Sequence, residues 1–242
     1  MDWSDDGIVL SARKHGEAAA VVHLLTRAHG RHAGLVRGGA SRRQRGTLQP
    51  GNEVQATWRA RLEEHLGNFT VELTNGHAAR LMDDPGRLAA LTSACALIEA
   101  GLAEREPHED VFEDMQAMLL GLAGEAWGQV YVEWELRLLG DLGFGLDLSS
   151  CAATGSNDDL AYVSPKSGRA VSLSAGEPYR EKLLPLPPFL IGAGEAGEGD
   201  LAAGLRLTGY FLERHLLAPH ERAMPDARAR LAARLRRSTA GG

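Results

Sequence analysis

The sequence predicts an α+β chain in two parts, a small closed β-barrel followed by a helical domain. The first 75 or so residues contain short runs with a two-residue apolar period, separated by turn residues. From Asp84 onward, apolar residues recur at intervals of three and four, which is the period of a helix. The 242 residues, 44% hydrophobic and 24% charged, are typical of a globular protein with one large or two small domains. This composition excludes a disordered or collagen-like chain.

Five strands are predicted in the first part of the chain. Their bounds are 7–13, 19–27, 31–38, 52–62 and 68–74. In the first strand Ile8 and Leu10 fall on one side, and in the fifth Phe69, Val71 and Leu73 share a face that we expect to be buried. Five short strands with a long basic loop after the third are typical of an OB-fold. Residues 1–80 are therefore predicted to form a five-stranded OB-fold barrel.

Helices are predicted through most of residues 81–242. The first begins at Pro85, where Asp84 is in position to cap it. This helix is predicted to end at residue 102. Four further helices are predicted, at 109–122, 125–142, 199–218 and 225–237. Residues 144–180 lose the helical period and are predicted to form an irregular insert, and residues 185–199 are predicted to be a loop rich in Pro and Gly.

Positive charge is concentrated in the predicted barrel. The whole chain carries a net charge of −6, but residues 1–80 carry 11 Lys and Arg against 8 Asp and Glu. Between residues 27 and 61 the only carboxylate is Glu53, and the basic residues there are Arg27, Arg31, Arg37, Arg42, Arg43, Arg45, Arg59 and Arg61. Arginine binds phosphates with a planar fork of donors, so these eight are predicted to contact a nucleic-acid backbone. The alternative is a solvated basic face in a protein that uses 23 Arg and only 3 Lys.

No catalytic or metal-binding motif supports an enzyme. Residues 192–197 match GxGxxG, but Pro187 and Pro188 precede them where a dinucleotide site needs a strand, so a loop is the better interpretation. Cys95 and Cys151 are too few for a four-cysteine zinc site, and no His lies at ligand spacing from them. No metal and no cofactor are therefore expected.

Aromatic and histidine residues of the predicted barrel have structural interpretations. Trp58 shares a face with small apolar residues, which favours core packing over a platform for base stacking. His29 and His32 flank a turn, where they are expected to add to the basic surface.

The chain is expected to be cytoplasmic. It opens with the acidic stretch MDWSDDGIVL rather than a basic signal peptide, and no apolar run approaches the roughly 20 residues that span a bilayer. Two cysteines also suit a reducing compartment. No membrane partner is expected.

Three stretches together resemble the RecO family of bacterial recombination mediators. They are GIVLSARKHGE with VHLLTR and HG (residues 7–30), GLVRGGAS with LQPG (residues 34–51), and EWELRLLGDLGFGLD followed by Cys151 and Gly155. The resemblance implies an N-terminal OB-fold, a C-terminal helical domain and no bond chemistry. It also implies binding of single- and double-stranded DNA and strand annealing. With RecR, such proteins help RecA load onto DNA coated by single-strand binding protein (SSB) in the RecF pathway, at the bacterial nucleoid.

One departure from the family concerns zinc. Many RecO proteins carry two CxxC pairs after the LGFG-like motif, in a ribbon-like insert. Here Cys151 fills the first position, Thr154 stands at the second, and the later pair falls near Ser172 and Ala175. One thiolate cannot hold a tetrahedral zinc ion, so the insert is expected to be a metal-free version.

The resemblance also implies that the helical domain binds the acidic C-terminal tail of SSB. Such a tail needs an apolar surface edged by cations, and Arg137, Arg206 and Arg214 are the candidates, between the helices predicted at 125–142 and 199–218. Two alternatives to the DNA function remain open at this point. One is an OB-fold RNA-binding or translation-associated module with a helical docking domain, and a weaker one is an enzyme with a nucleotide at the GxGxxG loop.

Overall fold

The computed structural model describes residues 1–197 and 199–238, which form two compact units. The first contains Met1–Glu125 and Pro225–Arg228, and the second contains Ala126–Met224 and the chain from Ala229 onward. Glu198, in the loop predicted at 185–199, and the last four residues of the predicted helical domain lie outside the described residues. No helix in the described ranges is long and apolar enough to cross a membrane.

The first unit contains a closed barrel of five strands. These are β1 (Asp2–His15), β2 (Ala19–Thr26), β3 (Gly30–Val36), β4 (Glu53–Arg59) and β5 (Asn68–Asn75), and their order around the barrel is β1-β2-β3-β5-β4. Every neighbouring pair is antiparallel except β3 and β5, which run parallel. The predicted five-stranded barrel is therefore present.

The middle of the long first strand, residues 7–10, is buried on both faces. Its first half pairs with β4 and its second half with β2. Val9 packs in the barrel core, while the adjacent Ile8 is also fully buried on the outer face, where a helix packs on β1. A register shift between Val9 and Ser11 interrupts the alternation at Leu10. The prediction of one buried side was incomplete because a strand covered by a helix loses its polar face.

The last strand corrects a second expectation. Phe69 and Val71 are buried as predicted, but Leu73 is 48% exposed. Leu73 still pairs in register with Val54, and the register shift between Glu53 and Val54 comes after it along β5. The alternation therefore predicts the face of the strand correctly, but it cannot show how far along the strand that face is covered.

Four helices complete this unit. They are α1 (Arg42–Thr47), α2 (His77–Leu81), α3 (Pro85–Gly101) and α4 (Glu109–Gly121). The start of α3 is as predicted, because the Asp84 carboxylate accepts hydrogen bonds from the N–H groups of Gly86 (2.7 Å) and Arg87 (3.1 Å). The basic segment after β3 was expected to be a loop, but it contains α1. Ser41 caps that helix by accepting from the Gln44 N–H at 3.3 Å.

The second unit combines helices with a small sheet. Its helices are α5 (Trp127–Asp141), α6 (Leu173–Gly176) and α7 (Asp200–Phe211), and α7 continues as a π-helical turn over Leu212–Leu217. Strands β6 (Leu160–Val163), β7 (Ala170–Ser172) and β8 (Leu184–Pro185) pair in the order β7-β6-β8. The last helix of the chain is α8 (Asp226–Ser238). The prediction of an irregular insert at 144–180 was wrong for β6 and β7, which are too short to show an alternating pattern, and the loop predicted at 185–199 begins with the last residue of β8.

Helices α5 and α7 pack closely against each other. Gly204 allows this approach, since a β-carbon there would lie 2.7 Å from Val132. Farther along, the Thr208 hydroxyl donates to the buried Glu135 carboxylate. The GxGxxG stretch precedes α7 without forming its start, because the helix begins at Asp200 and a 3₁₀ turn, Pro188–Ile191, stands where a dinucleotide site needs a strand. This geometry agrees with the predicted loop.

Candidate nucleic-acid interface

The exposed arginines of the barrel are concentrated around α1. Arg42, Arg43 and Arg45 are exposed, and the six-residue helix has no buried residue. Arg37, just before it, is exposed as well. Among the described residues, Arg37, Arg42 and Arg43 form no ion pair with a carboxylate, and the Arg45 Nε donates only to the Ala40 carbonyl at 3.1 Å. These guanidinium groups are therefore available to an anionic ligand.

A groove lies beside α1, which we call the α1 groove. Its volume is about 520 Å³, and it lies between the β1–β2 end and the α1 segment. Lys14 and Arg45 supply its positive charge, and Leu48 and Pro50 contribute apolar surface. A strand of nucleic acid combines charged phosphates with apolar base faces, so this lining suits it.

Arg59 and Arg61 form a second exposed basic site, at the opposite end of β4 from α1. The Arg59 side chain is 74% exposed and lies 3.7 Å from the equally open Asp2 carboxylate. Exposed pairs of this kind contribute little to stability, so a phosphate can replace Asp2 readily. Arg61 is exposed and forms no ion pair in the part of the chain that the structure describes.

Arg27 and Arg31 have a different environment from the other six arginines. The Arg27 guanidinium lies 2.7 Å from Glu113 and over the Phe112 ring, at 4.8 Å from its centroid. Arg31 is only 11% exposed, donates to the Leu102 carbonyl at 2.9 Å and pairs with Glu104 at 3.2 Å. Both attach the barrel to the α3–α4 region of the same unit. The prediction that they bind phosphate is not supported by this geometry, because a phosphate would have to displace their carboxylate partners.

An aromatic pocket lies near Arg59 and includes Trp3, which the sequence prediction did not consider. Trp3 stacks on His29 with ring centroids 4.0 Å apart and planes 8° apart, and it also contacts Trp58 and His32. A cavity of about 390 Å³ opens beside these four rings. Trp3 was missed because the alternation of β1 was recognised only from Gly7. Trp58 is buried, with its indole N–H donating to the Leu66 carbonyl, as its predicted core role requires.

The two histidines of this pocket do not add to the basic surface as expected. His32 is 3% exposed, and burial, together with the charge of Arg105, lowers the pKa of its imidazole to about 4. It is therefore neutral near pH 7. The His29 ring lies 2.9 Å from the Asp5 carboxylate, which offsets any charge that it carries.

In the second unit, the structure does not bring Arg137 and Arg206 to the contact between α5 and α7. Each lies two residues from a member of the Glu135–Thr208 hydrogen bond, and two residues turn a helix by about 200°. Both arginines are exposed on the outer faces of their helices. The region between these helices, where the peptide site was predicted, is occupied by their own side chains.

Arg214 lies in a more suitable environment. It follows α7 and donates to the Pro165 carbonyl at 2.9 Å, with the Tyr210 hydroxyl at 3.3 Å. Tyr210 and Phe144 are both more than a third exposed, and Phe144 stacks on His215. Arg214 is therefore the best placed of the three predicted cations, because exposed aromatic surface lies beside it.

Comparison with known families decides what kind of protein this is. A family model described as recombination protein O N terminal matches residues 1–77, and one described as recombination protein O C terminal matches residues 82–223. The chain belongs to the RecO family. A relative named DNA repair protein RecO from Rhodospirillum centenum is 58% identical over 98% of this chain and 96% of its own length. A second, from Rhodospirillum rubrum, is 54% identical over 99% of this chain and 98% of its own.

The RecO resemblance stated from the three sequence stretches is thus confirmed, and the chain is a member of a DNA repair and recombination family. The family models divide the chain between residues 77 and 82. The compact units divide it differently, because α3 and α4 belong with the barrel.

The zinc positions that the RecO resemblance implies do not fit a metal in this chain. Cys151 and Ser172, at the first and third positions, do come together. The Cys151 Sγ accepts from the Ser172 N–H at 3.2 Å and lies 3.4 Å from its Oγ. Hydrogen bonds from Ser172 and Thr154 lower the pKa of the Cys151 thiol to about 6. Two hydroxyls and Ala175 supply none of the three further thiolates or imidazoles that structural zinc needs.

Other contacts hold this segment in place of a metal. Arg169 pairs with Asp147 at 3.1 Å, and β6 pairs with both β7 and β8. Among the residues that the structure describes, no cluster of three or more His, Cys, Asp or Glu is arranged to hold a metal ion.

Proposed function

We propose that this RecO-family chain is a non-enzymatic DNA-binding protein of recombinational repair. It binds single- and double-stranded DNA and promotes the annealing of complementary strands. The observation that carries the proposal is the exposed, unpaired arginine surface around α1. In this proposal residues 1–80 form the DNA-binding domain and residues 81–242 the helical domain, and the protein acts in the cytoplasm at the nucleoid.

The mechanism is electrostatic. Two DNA strands repel each other through their phosphates, and a protein that contacts both backbones lowers this repulsion. Arg45 lines the α1 groove and Arg37, Arg42 and Arg43 are exposed on the same segment, while Arg59 and Arg61 are exposed near the opposite end of β4. None of these side chains is needed for the barrel core, so all six can contact phosphate without loss of structure.

Partner proteins complete the proposed function. With RecR, the chain helps RecA load onto SSB-coated DNA, as its family membership suggests. We place the site for the acidic SSB tail at Arg214, with Tyr210 and Phe144 as its apolar surface and Arg206 on the exposed face of α7. Arg137 lies on the outer face of α5 and is the weakest of the three candidates. The segment at 144–180 is the metal-free counterpart of the ribbon-like insert of zinc-binding relatives.

Annealing of SSB-coated complementary oligonucleotides tests this proposal. The wild-type chain is expected to accelerate annealing, and the variant R42A/R43A/R45A is expected to lose most of this activity. The matched control is R180A/K182A/R222A, which removes the same charge from exposed positions of the second unit. Equal loss of annealing activity in both variants would show that the activity depends on net charge and not on the arginines of α1. Tighter binding to structured RNA than to single-stranded DNA would favour the RNA-binding alternative.

A further inference from the structure

The aromatic pocket of the barrel contains a buried polar side chain without a partner. His32 is 3% exposed, and neither of its ring nitrogens has a hydrogen-bond partner among the described residues. Its ring lies edge-on to Trp3 (5.1 Å between centroids) and Trp58 (4.9 Å). Leaving buried polar atoms unpaired costs about 1–3 kcal/mol, so such a group is unusual in a core.

The unpartnered ring lines the cavity rather than a sealed core. The cavity of about 390 Å³ is bounded by Trp3, His29, His32 and Trp58, with Arg105 and Pro107 from the chain after α3. Its volume falls within the range typical of small-molecule sites. The His32 nitrogens are themselves buried, so a ligand in the cavity lies against this ring and reaches its nitrogens only when the neighbouring rings shift.

The chemistry of the lining favours a flat, neutral ligand. Three of the rings form a layered stack, because Trp3 is parallel to His29 and within 21° of Trp58. The lining mixes charges of both signs, since it includes Met1 and Arg105 as well as Asp2 and Glu63. Such a lining has no net preference for a charged group inside the cavity. A neutral imidazole offers one donor and one acceptor, which match the edge of any nucleobase.

From these observations we infer that the pocket receives one unstacked nucleobase of single-stranded DNA. The inference rests on the proposed function and adds to it a site that contacts a base instead of phosphate. The Arg59 Nε lies 3.7 Å from the carboxylate of Asp2, which lines the pocket, so a phosphate flanking the base has an exposed arginine beside it. Because both imidazole tautomers are available, the site accepts any base and does not read sequence.

The experiment compares two oligonucleotides of equal length, one of ordinary thymidines and one with abasic sites, by fluorescence anisotropy at low salt. The wild-type chain should bind the ordinary oligonucleotide about fivefold more tightly. His32→Phe keeps the ring and removes both nitrogens. It should remove most of this preference while the melting temperature stays the same or rises, because no partner in the protein loses a hydrogen bond. His220→Phe, at an exposed position, is the matched control.

A second measurement does not depend on the folding of any variant. A single 5-iodouracil in the oligonucleotide should photocrosslink to the wild-type chain at Trp3, His29 or His32. Crosslinks only to the α1 segment would overturn the inference. So would equal binding of both oligonucleotides by the wild-type chain, or an unchanged preference in His32→Phe. Failure of the wild-type chain to bind either oligonucleotide would instead overturn the proposed function.

Discussion

Removing the three arginines of α1 should change the salt dependence of DNA binding far more than the fold. No residue of α1 is buried, and among the described residues the only hydrogen bond from these three side chains is the one from Arg45 to the Ala40 carbonyl. Alanine also favours a helix, so R42A/R43A/R45A should melt close to the wild-type temperature. A change in binding can then be assigned to lost phosphate contacts.

The size of the effect follows from the number of exposed arginines. Each phosphate contact on a single strand contributes about −0.7 to the slope of log K against log salt. If five of the six exposed arginines make contact, the wild-type slope is about −3.5, and a fourfold rise in salt weakens binding about a hundredfold. For the triple variant the slope is about −1.4, and the same rise weakens binding only about sevenfold.

Anisotropy titrations at four or five salt concentrations measure both slopes. The control R180A/K182A/R222A should keep the wild-type slope, because those residues lie in the second unit. A triple variant with an unchanged slope would show that α1 is not the phosphate contact. An unchanged slope after replacement of Arg27 and Arg31, both held by carboxylates, would agree with the geometry described above.

Four further predictions concern stability, metal and partner binding. Gly67→Ala should destabilise the barrel by about 2–3 kcal/mol and Gly16→Ala by about 1, measured by urea unfolding, because both have positive φ but only Gly67 lies against a buried indole. The free energy of unfolding should fall as pH drops from about 6.5 toward 4, since the unfolded chain protonates His32 before the folded chain does, and His32→Phe should flatten this part of the pH profile. Elemental analysis should find no stoichiometric zinc, and chelators should leave the melting temperature unchanged, because Cys151 is the only thiol in its segment. Arg214→Glu should weaken an SSB-tail peptide about tenfold, or 1.4 kcal/mol, and leave oligonucleotide binding intact, whereas equal loss of both would move the tail site to the barrel.

The barrel strands could be predicted from sequence because their spacing and turns are local signals. The same holds for α3, whose start is encoded by the Asp84 cap and Pro85. The short helix α1 could not be predicted in this way, since six residues with no buried side chain carry no apolar period. The small sheet of the second unit was missed for a related reason, because β7 has only three residues.

The candidate site was predicted only in part, because charge is visible in a sequence but pairing is not. Eight arginines looked equivalent, yet Arg27 and Arg31 are held by glutamates that lie more than seventy residues later in the chain. The aromatic pocket depends on Trp3, Trp58 and His32, which are distant in sequence and meet through strand register. No local pattern indicates such a meeting.

The division of β1 between two partners has a consequence for the order of folding. The second half of β1 can form a hairpin with β2 as soon as that strand is synthesised, since only a short turn separates them. The first half must wait for β4, because Trp3 pairs with Trp58, and contacts between such distant residues form slowly. On the ribosome, the N-terminal segment is therefore expected to stay unpaired until the barrel closes. The aromatic pocket needs both Trp3 and Pro107, so it is among the last features of this unit to appear, and a chain stopped early in synthesis would lack it.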